Sequence, residues 1–292
     1  MDIITKDLVC SLLPPRYQDS NKGSYGKVLN IAGCYNYQGA AYLSSVTPLK
    51  VGAGLVTLAT TKPVINNIAA ALPWVTFFPI QDSDDGCIAK NAFIGLAEVI
   101  ENYDVVSIGP GLSTKDDVCK FVKEILDYLS KSEKKVVIDA DALNIVAKLG
   151  ISKLPLNSVL TPHPMEMSRL LALPVDVIQS NREKYVLEAA KKYNCTVVLK
   201  GNDTLIATSD GQVWKNTTGN SALAKAGSGD VLTGMIAGFM AQGLSSLQGA
   251  ILSVYLHGLS GELASKKLTQ YGVLATDQID FIPLAIESII QA

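Results

Sequence analysis

The sequence is short of features that define whole classes of protein. Five cysteines occur in 292 residues (Cys10, Cys34, Cys87, Cys119 and Cys195), odd in number and never as a CxxC pair. That excludes a disulfide framework or a zinc-thiolate site and leaves free thiols. Long apolar runs are missing too. The best candidate, Val231 to Ala241, follows Asp230 and contains two glycines, well short of the roughly 18 residues a membrane helix needs. The opening MDIITKDLVC has no basic segment leading into an apolar one, so no signal peptide is expected and a cytoplasmic location is. Charge of one sign is lacking: 25 Lys and Arg against 27 Asp and Glu give a net charge of -2. No general attraction to nucleic acid or membrane surface is built in, and neither is expected as a partner. Pro/Ser-rich linkers, charge blocks and fixed-period repeats are also absent, so residues 1–292 are expected to form a single domain.

What is present is apolar: 48% of residues, against 18% charged, which allows a large core and excludes disorder. Short β-branched runs read as buried strands at Val28–Ala32, Leu55–Ala59, Val105–Ile108, Val136–Asp139, Val159–Thr161 and Thr196–Leu199. Helical patterns fall between them at Gly39–Val51, Asp116–Leu129 and Arg182–Lys192. This alternation predicts an α/β fold with a mostly parallel central sheet flanked by helices on both faces. Thr204–Ala207 and Val213–Lys215 flank the turn Ser209-Asp210-Gly211 and predict an antiparallel edge hairpin. Helices over Asp230–Gln242, Leu247–Lys267 and Thr276–Ile290 then form a C-terminal helical layer.

In such sheets ligands bind where strands end, and the loops there carry unusual residues. Gly227-Ser228-Gly229-Asp230 precedes an apolar helix. Glycines let backbone approach a ligand, and the helix start offers free N–H groups, together an anion hole for phosphate. Asp230 is either the helix N-cap or a general base beside that hole. The P-loop pattern and the GxGxxG fingerprint are both missing. Gly109-Pro110-Gly111-Leu112 is a turn or a point of ligand approach. Asp139 and Asp141 cap the next helix or hold Mg²⁺ through water. His163, between two prolines, is structural or placed for a ligand, whereas His257 in an apolar helix reads as structural. Lys200 to Thr204 is a solvated hairpin entry or a phosphate-binding loop.

Together these blocks resemble the ADP-dependent (S)-NAD(P)H-hydrate dehydratases, a branch of the ribokinase-like superfamily. The match runs from about Lys22 to Pro283. It rests on Lys22-Gly23 with Gly26, Gly39-Ala40, Val51-Gly52-Ala53-Gly54-Leu55-Val56, Gly109-Pro110-Gly111-Leu112, Asp139-Ala140-Asp141-Ala142-Leu143-Asn144, Thr161-Pro162-His163-Pro164, Lys200-Gly201 with Thr204, and Thr218-Gly219-Asn220 leading into Gly227-Ser228-Gly229-Asp230. The resemblance implies repair of hydrated NADH and NADPH. A nucleotide phosphorylates the ring hydroxyl, phosphate is then eliminated, and ADP becomes AMP plus phosphate. It assigns catalysis to Asp230 and the anion hole to Gly227, Ser228 and Gly229. Lys200, Gly201, Asn202, Asp203, Thr204 and Gly229 would bind nucleotide; Ala40, Gly111, His163 and Asp230 would bind the hydrate. Related kinases order Mg²⁺ through water with Asn-x-x-Glu; here His163 stands in the Asn place and Glu166 inherits the metal role.

There are departures from the family pattern. Met165 replaces the usual glycine, either narrowing the pocket or leaning outward, and Asn220–Ala224 lacks the usual proline and glycine. The N-terminal epimerase domain of many relatives is expected to be absent, leaving that step to a separate protein. A homotetramer built on the C-terminal helices is expected from the resemblance. The alternative in the same superfamily is a kinase for a vitamin-precursor alcohol, which would release a stable phosphate ester. A nucleotide-binding sensor is a further alternative, but binding alone requires no base such as Asp230.

Overall fold

The computed structural model describes residues 1–290. Its strands are β1 (Asp2–Ile3), β2 (Lys27–Ile31), β3 (Leu55–Thr61), β4 (Thr76–Ile80), β5 (Val105–Ile108), β6 (Lys135–Ile138), β7 (Ser158–Leu160), β8 (Thr196–Leu199), β9 (Leu205–Ala207) and β10 (Val213–Lys215). Its helices are α1 (Lys6–Leu12), α2 (Gln38–Lys50), α3 (Lys62–Ile68), α4 (Leu96–Ile100), α5 (Asp116–Leu129), α6 (Ala140–Leu149), α7 (Pro164–Leu171), α8 (Val175–Ser180), α9 (Arg182–Tyr193), α10 (Ser228–Ala241), α11 (Ser246–Gly272) and α12 (Ala275–Ile290). All strands join one sheet in the order β1-β10-β9-β8-β7-β6-β5-β2-β3-β4. The run from β8 to β4 is parallel throughout, and β9 is antiparallel to both of its neighbours.

Each strand divides its side chains between two cores because successive residues point to opposite faces. Leu29, Val106, Ile138, Leu160 and Val197 pack under α4 to α9. Val28, Val105, Val137, Val159 and Val198 pack under α1 to α3 and α10 to α12. Both faces are covered, so the strands read as continuous apolar runs, as the sequence predicted.

Elements that the periodicity does not announce lie mainly at the edges and in short helices. The two-residue β1 pairs parallel with β10 and closes that edge. Opposite it, β4 carries Pro79, tolerated because an edge strand needs only one side of its ladder. Short helices α6 and α7 begin directly at the loops after β6 and β7. Helix α11 runs past its expected end at Lys267, through a break at Thr269 where φ is 61°. Among the described residues no helix is long and apolar enough to cross a membrane.

Helix α10 is buried on all sides, as a helix at the centre of a layer must be. It lies against α2 so closely that a Cβ on Gly238 would stand 2.8 Å from Pro48 Cα and 2.9 Å from the Pro48 carbonyl oxygen. Backbone cannot move aside as a side chain can. Gly238→Ala is therefore expected to destabilise the protein by about 1–3 kcal/mol through overpacking, in spite of its better helix propensity. Denaturant unfolding of the variant reads this directly.

Candidate active site

Five neighbouring parallel strands, β8, β7, β6, β5 and β2, end along one side of the sheet. Their exits carry, in that order, Lys200, Thr161-Pro162-His163, Asp139, Gly109-Pro110-Gly111 and the loop from Gly33 to Ala40. The sequence motifs that lie far apart in the chain thus form one row, and the N-terminus of α10 is tied to its middle.

The tie is Asp139. Its carboxylate is buried. Lys200 Nζ donates to Oδ1 at 2.9 Å, Thr161 Oγ1 donates to Oδ1 at 2.7 Å, and Thr233 Oγ1 from α10 donates to Oδ2 at 2.7 Å. Burial by itself would raise the Asp139 carboxyl; Lys200 and the threonine hydroxyls outweigh it and hold the group below its usual value. Lys200 shows the converse balance. Burial works against its charge, but Asp139, Glu166 and Asp230 keep the ammonium above its ordinary value. Lys200 is therefore a partly buried, fully charged cation and not a solvated hairpin entry. Asp139 makes no side-chain cap to α6, and Asp141 Oδ2 accepts from the Ser113 amide at 2.7 Å, holding the loop that follows Gly111.

The N-cap reading of Asp230 is corrected by the structure. Gly227, with φ 92°, occupies the N-cap position, and α10 starts at Ser228, so Asp230 sits in the first turn. The Ser228 amide reaches the Lys225 carbonyl at 3.4 Å and the Val231 amide bonds Gly227. Among the described residues, the Gly229 and Asp230 amides between them have no protein acceptor, which is the anion-holding arrangement of a helix start. Among the described residues no donor bonds the Asp230 carboxylate. Burial, with Asp139 and Asp141 adding and Lys200 opposing, pushes its pKa up to about 7.

His163 caps α7 in place of an Asn or Ser. Its Nδ1 accepts from the amides of Met165 at 3.1 Å and Glu166 at 3.3 Å. Glu166 Oε2 accepts from the His163 amide at 2.8 Å, completing a capping box. Glu166 lies 3.8 Å from Lys200 Nζ, and burial raises its pKa to about 7. Burial and Lys200 lower that of His163. Met165 is half-exposed and outside the cavity wall, so it leans outward and does not narrow the pocket.

A cavity of about 550 Å³ opens beside this row. It is lined by Lys200, Gly201, Asn202, Asp203 and Thr204, by Ser228 and Gly229, and by His163. Of these, Asp203 is also paired with Lys215 at 2.8 Å. Ala40, Gly111, Gly227, Glu166 and Asp230 stand outside the cavity wall. Ala40 and Gly111 meet each other instead: a Cβ on Gly111 would lie 2.9 Å from Ala40 Cβ. The expected nucleotide loop thus lies at β8 and the expected hydrate residues Gly111 and Ala40 at β5 and β2, whereas His163, also expected at the hydrate, stands at the β7 exit and lines the cavity together with the Lys200–Thr204 loop.

Sequence reasoning missed two groups. Leu223, Leu232 and Val254 form an apolar part of the cavity wall, indistinguishable in sequence from core. Arg182, read only as a helix start, donates to the carbonyls of Asn202 at 2.5 Å, Leu199 at 3.1 Å and Lys200 at 3.4 Å. It fixes the loop that carries Lys200, and no motif marks it.

A family profile described as NAD(P)H-hydrate dehydratase matches residues 28–284. The chain belongs to this family. An ADP-dependent (S)-NAD(P)H-hydrate dehydratase of Bacillus subtilis is 36% identical over 279 residues, which is 96% of this chain and 95% of the relative. A bifunctional NAD(P)H-hydrate repair enzyme of Thermofilum pendens is 37% identical over 95% of this chain, and the chain spans 53% of that relative. The chain thus spans about half the length of the bifunctional relatives it matches. In structure, the Bacillus subtilis ADP/ATP-dependent dehydratase co-crystallised with ATP and Mg²⁺ gives a TM-score of 0.86 at 34% identity, covering 99% of this chain and 98% of that one. Hydroxyethylthiazole kinase of Pyrococcus horikoshii, at 14% identity and a TM-score of 0.62 over 98% of this chain and 95% of that one, shares the ribokinase-like fold alone.

For a member of this family, the stability of the site is expected to depend on the Asp139–Lys200 pair. Asp139→Leu leaves a buried ammonium without its main counter-charge and is expected to cost about 3–5 kcal/mol. Adding Lys200→Met is expected to recover part of the loss, the remainder being Thr161 and Thr233 left without an acceptor. Chemical denaturation of the single and double variants checks both values.

Proposed function

We propose that this chain regenerates NADH and NADPH from their (S)-hydrates, with an adenine nucleotide as phosphoryl donor. The observation that carries the reading is Asp230, an acid with no donor among the described residues and a pKa near 7, beside helix-start amides left unbonded by those residues and near the Lys200 ammonium. A binding protein needs no such base; a phosphoryl-transfer enzyme does.

The chemistry follows from leaving groups. Hydroxide leaves a ring poorly and phosphate leaves well. Asp230 takes the proton from the ring hydroxyl as its oxygen attacks the terminal phosphorus of ADP; AMP departs. The ring nitrogen lone pair then expels phosphate, a ring proton is lost, and the reduced nicotinamide returns. Gly229 and its neighbours stabilise charge on the phosphoryl oxygens through their amides. Lys200 to Thr204 hold the nucleotide, while Ala40, Gly111 and His163 are assigned to the hydrate. ADP as donor is supported by the name of the Bacillus subtilis relative, and Mg²⁺ by that enzyme's co-crystallisation with ATP and Mg²⁺.

Mg²⁺ commonly keeps several waters and takes its other ligands from one or two carboxylates and substrate phosphates. Among the described residues no three acidic, His or Cys groups gather as a metal cage. Glu166, with one oxygen committed to the His163 amide, fits a contact made through water. Bound there with nucleotide, Mg²⁺ would neutralise phosphate charge.

Two further parts of the reading concern partners. The bifunctional repair description of relatives such as that of Thermofilum pendens is consistent with a second activity acting on the same hydrate. Exposed Leu274 and Leu284, with a groove between α11 and α12 lined by Leu263 and Phe281, support self-association through this face; the tetramer is the state that the resemblance implies. Light scattering is expected to give four times the 31.0 kDa chain mass.

Absorbance of reduced nicotinamide tests the main proposal. Protein, NADH hydrate, Mg²⁺ and ADP together are expected to restore the band; a stable phosphate ester and no band would point to the vitamin-precursor kinase. Asp230→Asn is expected to lower kcat by about 10²–10⁴-fold. Because ionised Asp230 is the active form, kcat/KM is expected to rise with pH through about 7. Glu166 titrates in the same range, so the rise must persist in Glu166→Gln.

A further inference from the structure

His257 reads as a core histidine in the sequence, but the structure puts it in contact with the anion-holding loop. Its Nε2 lies 2.9 Å from the Ser228 carbonyl oxygen and 3.2 Å from Ser228 Oγ. A carbonyl oxygen only accepts, so Nε2 carries a proton. The ring is partly buried between α10 and α11, and desolvation pushes its pKa down to about 4, which keeps it neutral near pH 7. Gln278 of α12 donates to the His257 carbonyl at 3.0 Å and to Ser260 Oγ at 3.3 Å, anchoring this turn of α11. His257, Ser228 and Gly229 all line the cavity.

The Ser228 carbonyl and the Gly229 N–H are opposite ends of one planar peptide unit. Whatever holds the oxygen sets the direction of the N–H. That N–H has no protein acceptor among the described residues. We propose that His257 is a positioning residue of the anion hole: its Nε2–H clamps the Ser228–Gly229 peptide so that the Gly229 N–H stays aimed at the transferring phosphoryl group. The same ring N–H reaches Ser228 Oγ as a second acceptor, leaving the serine hydroxyl proton to be donated into the cavity. The nitrogen that faces the loop, Nε2, already carries its proton, so His257 acts on the loop as a donor and not as a base. The inference rests on the phosphoryl-transfer reading above.

Two measurements test it, one of them independent of the substrate. With two histidines in the chain, ring ¹⁵N shifts of the wild-type protein are readily assigned. His257 is expected as the neutral Nε2–H tautomer near neutral pH; the Nδ1–H tautomer overturns the proposal whatever the reaction. In turnover, His257→Leu is expected to lose about 100-fold in kcat with KM for ADP changed by less than about threefold. His257→Gln, whose side-chain N–H can reach the same carbonyl, is expected to recover most of the loss. An unchanged kcat in a folded His257→Leu protein, or an equal loss in the Gln variant, overturns the proposal. Should His257→Leu not fold, a loss of about 100-fold in His257→Gln overturns it alone. If the wild-type protein regenerates no NADH from the hydrate with ADP or ATP, the functional reading falls and the tautomer decides the role of His257.

Discussion

The buried Asp139 carboxylate is the interaction on which the site depends. It accepts from Lys200 after β8, Thr161 after β7 and Thr233 in α10, and itself stands at the end of β6. Three adjacent strand exits and the helix that carries Asp230 are thereby held together. A lysine drawn this far from water needs a partner, and removing either charge would strand the other. The same charge raises the Asp230 pKa by repulsion while Lys200 opposes it. Asp139 thus sets geometry and electrostatics together.

From this hub the site divides in two. Towards β8 lies the cavity with the Lys200–Thr204 loop, gripped from outside by Arg182 through backbone carbonyls. Towards β5 and β2 lie Gly111 and Ala40 in mutual contact. The first turn of α10 stands between, its glycine N-cap allowing a backbone conformation that other residues resist. On the proposed reading, a phosphoryl donor at the first end and the hydrate at the second would meet at this turn, and such chemistry rests on positioning and charge stabilisation.

Much of this was legible in the chain. The strands at Val105–Ile108 and Thr196–Leu199 were readable to the residue because both faces of each are covered and every position but Ser107 is apolar or β-branched. Helices α6 and α7 were not, being short and starting inside the loops that bear Asp139 and His163. The edge strand β1 has two residues and no pattern to read. Within the site, glycines and carboxylates at strand ends announced themselves, and the resemblance gave them roles. Arg182 and His257 did not, because each acts on the backbone of another segment, and a backbone carbonyl leaves no mark in sequence.

The sequence by itself determined the layered α/β class, the order of the loops and the residue types available for chemistry, because these follow from local periodicity and from what each side chain can donate or accept. Only the tertiary structure decided which of several plausible roles each residue took. Asp230 left the N-cap to Gly227, Lys200 became a charged partner of Asp139 and not a solvated turn, and His257 met Ser228 across two helices. Those outcomes are contacts between segments far apart in the chain, fixed by burial and by the requirement that buried polar groups find partners.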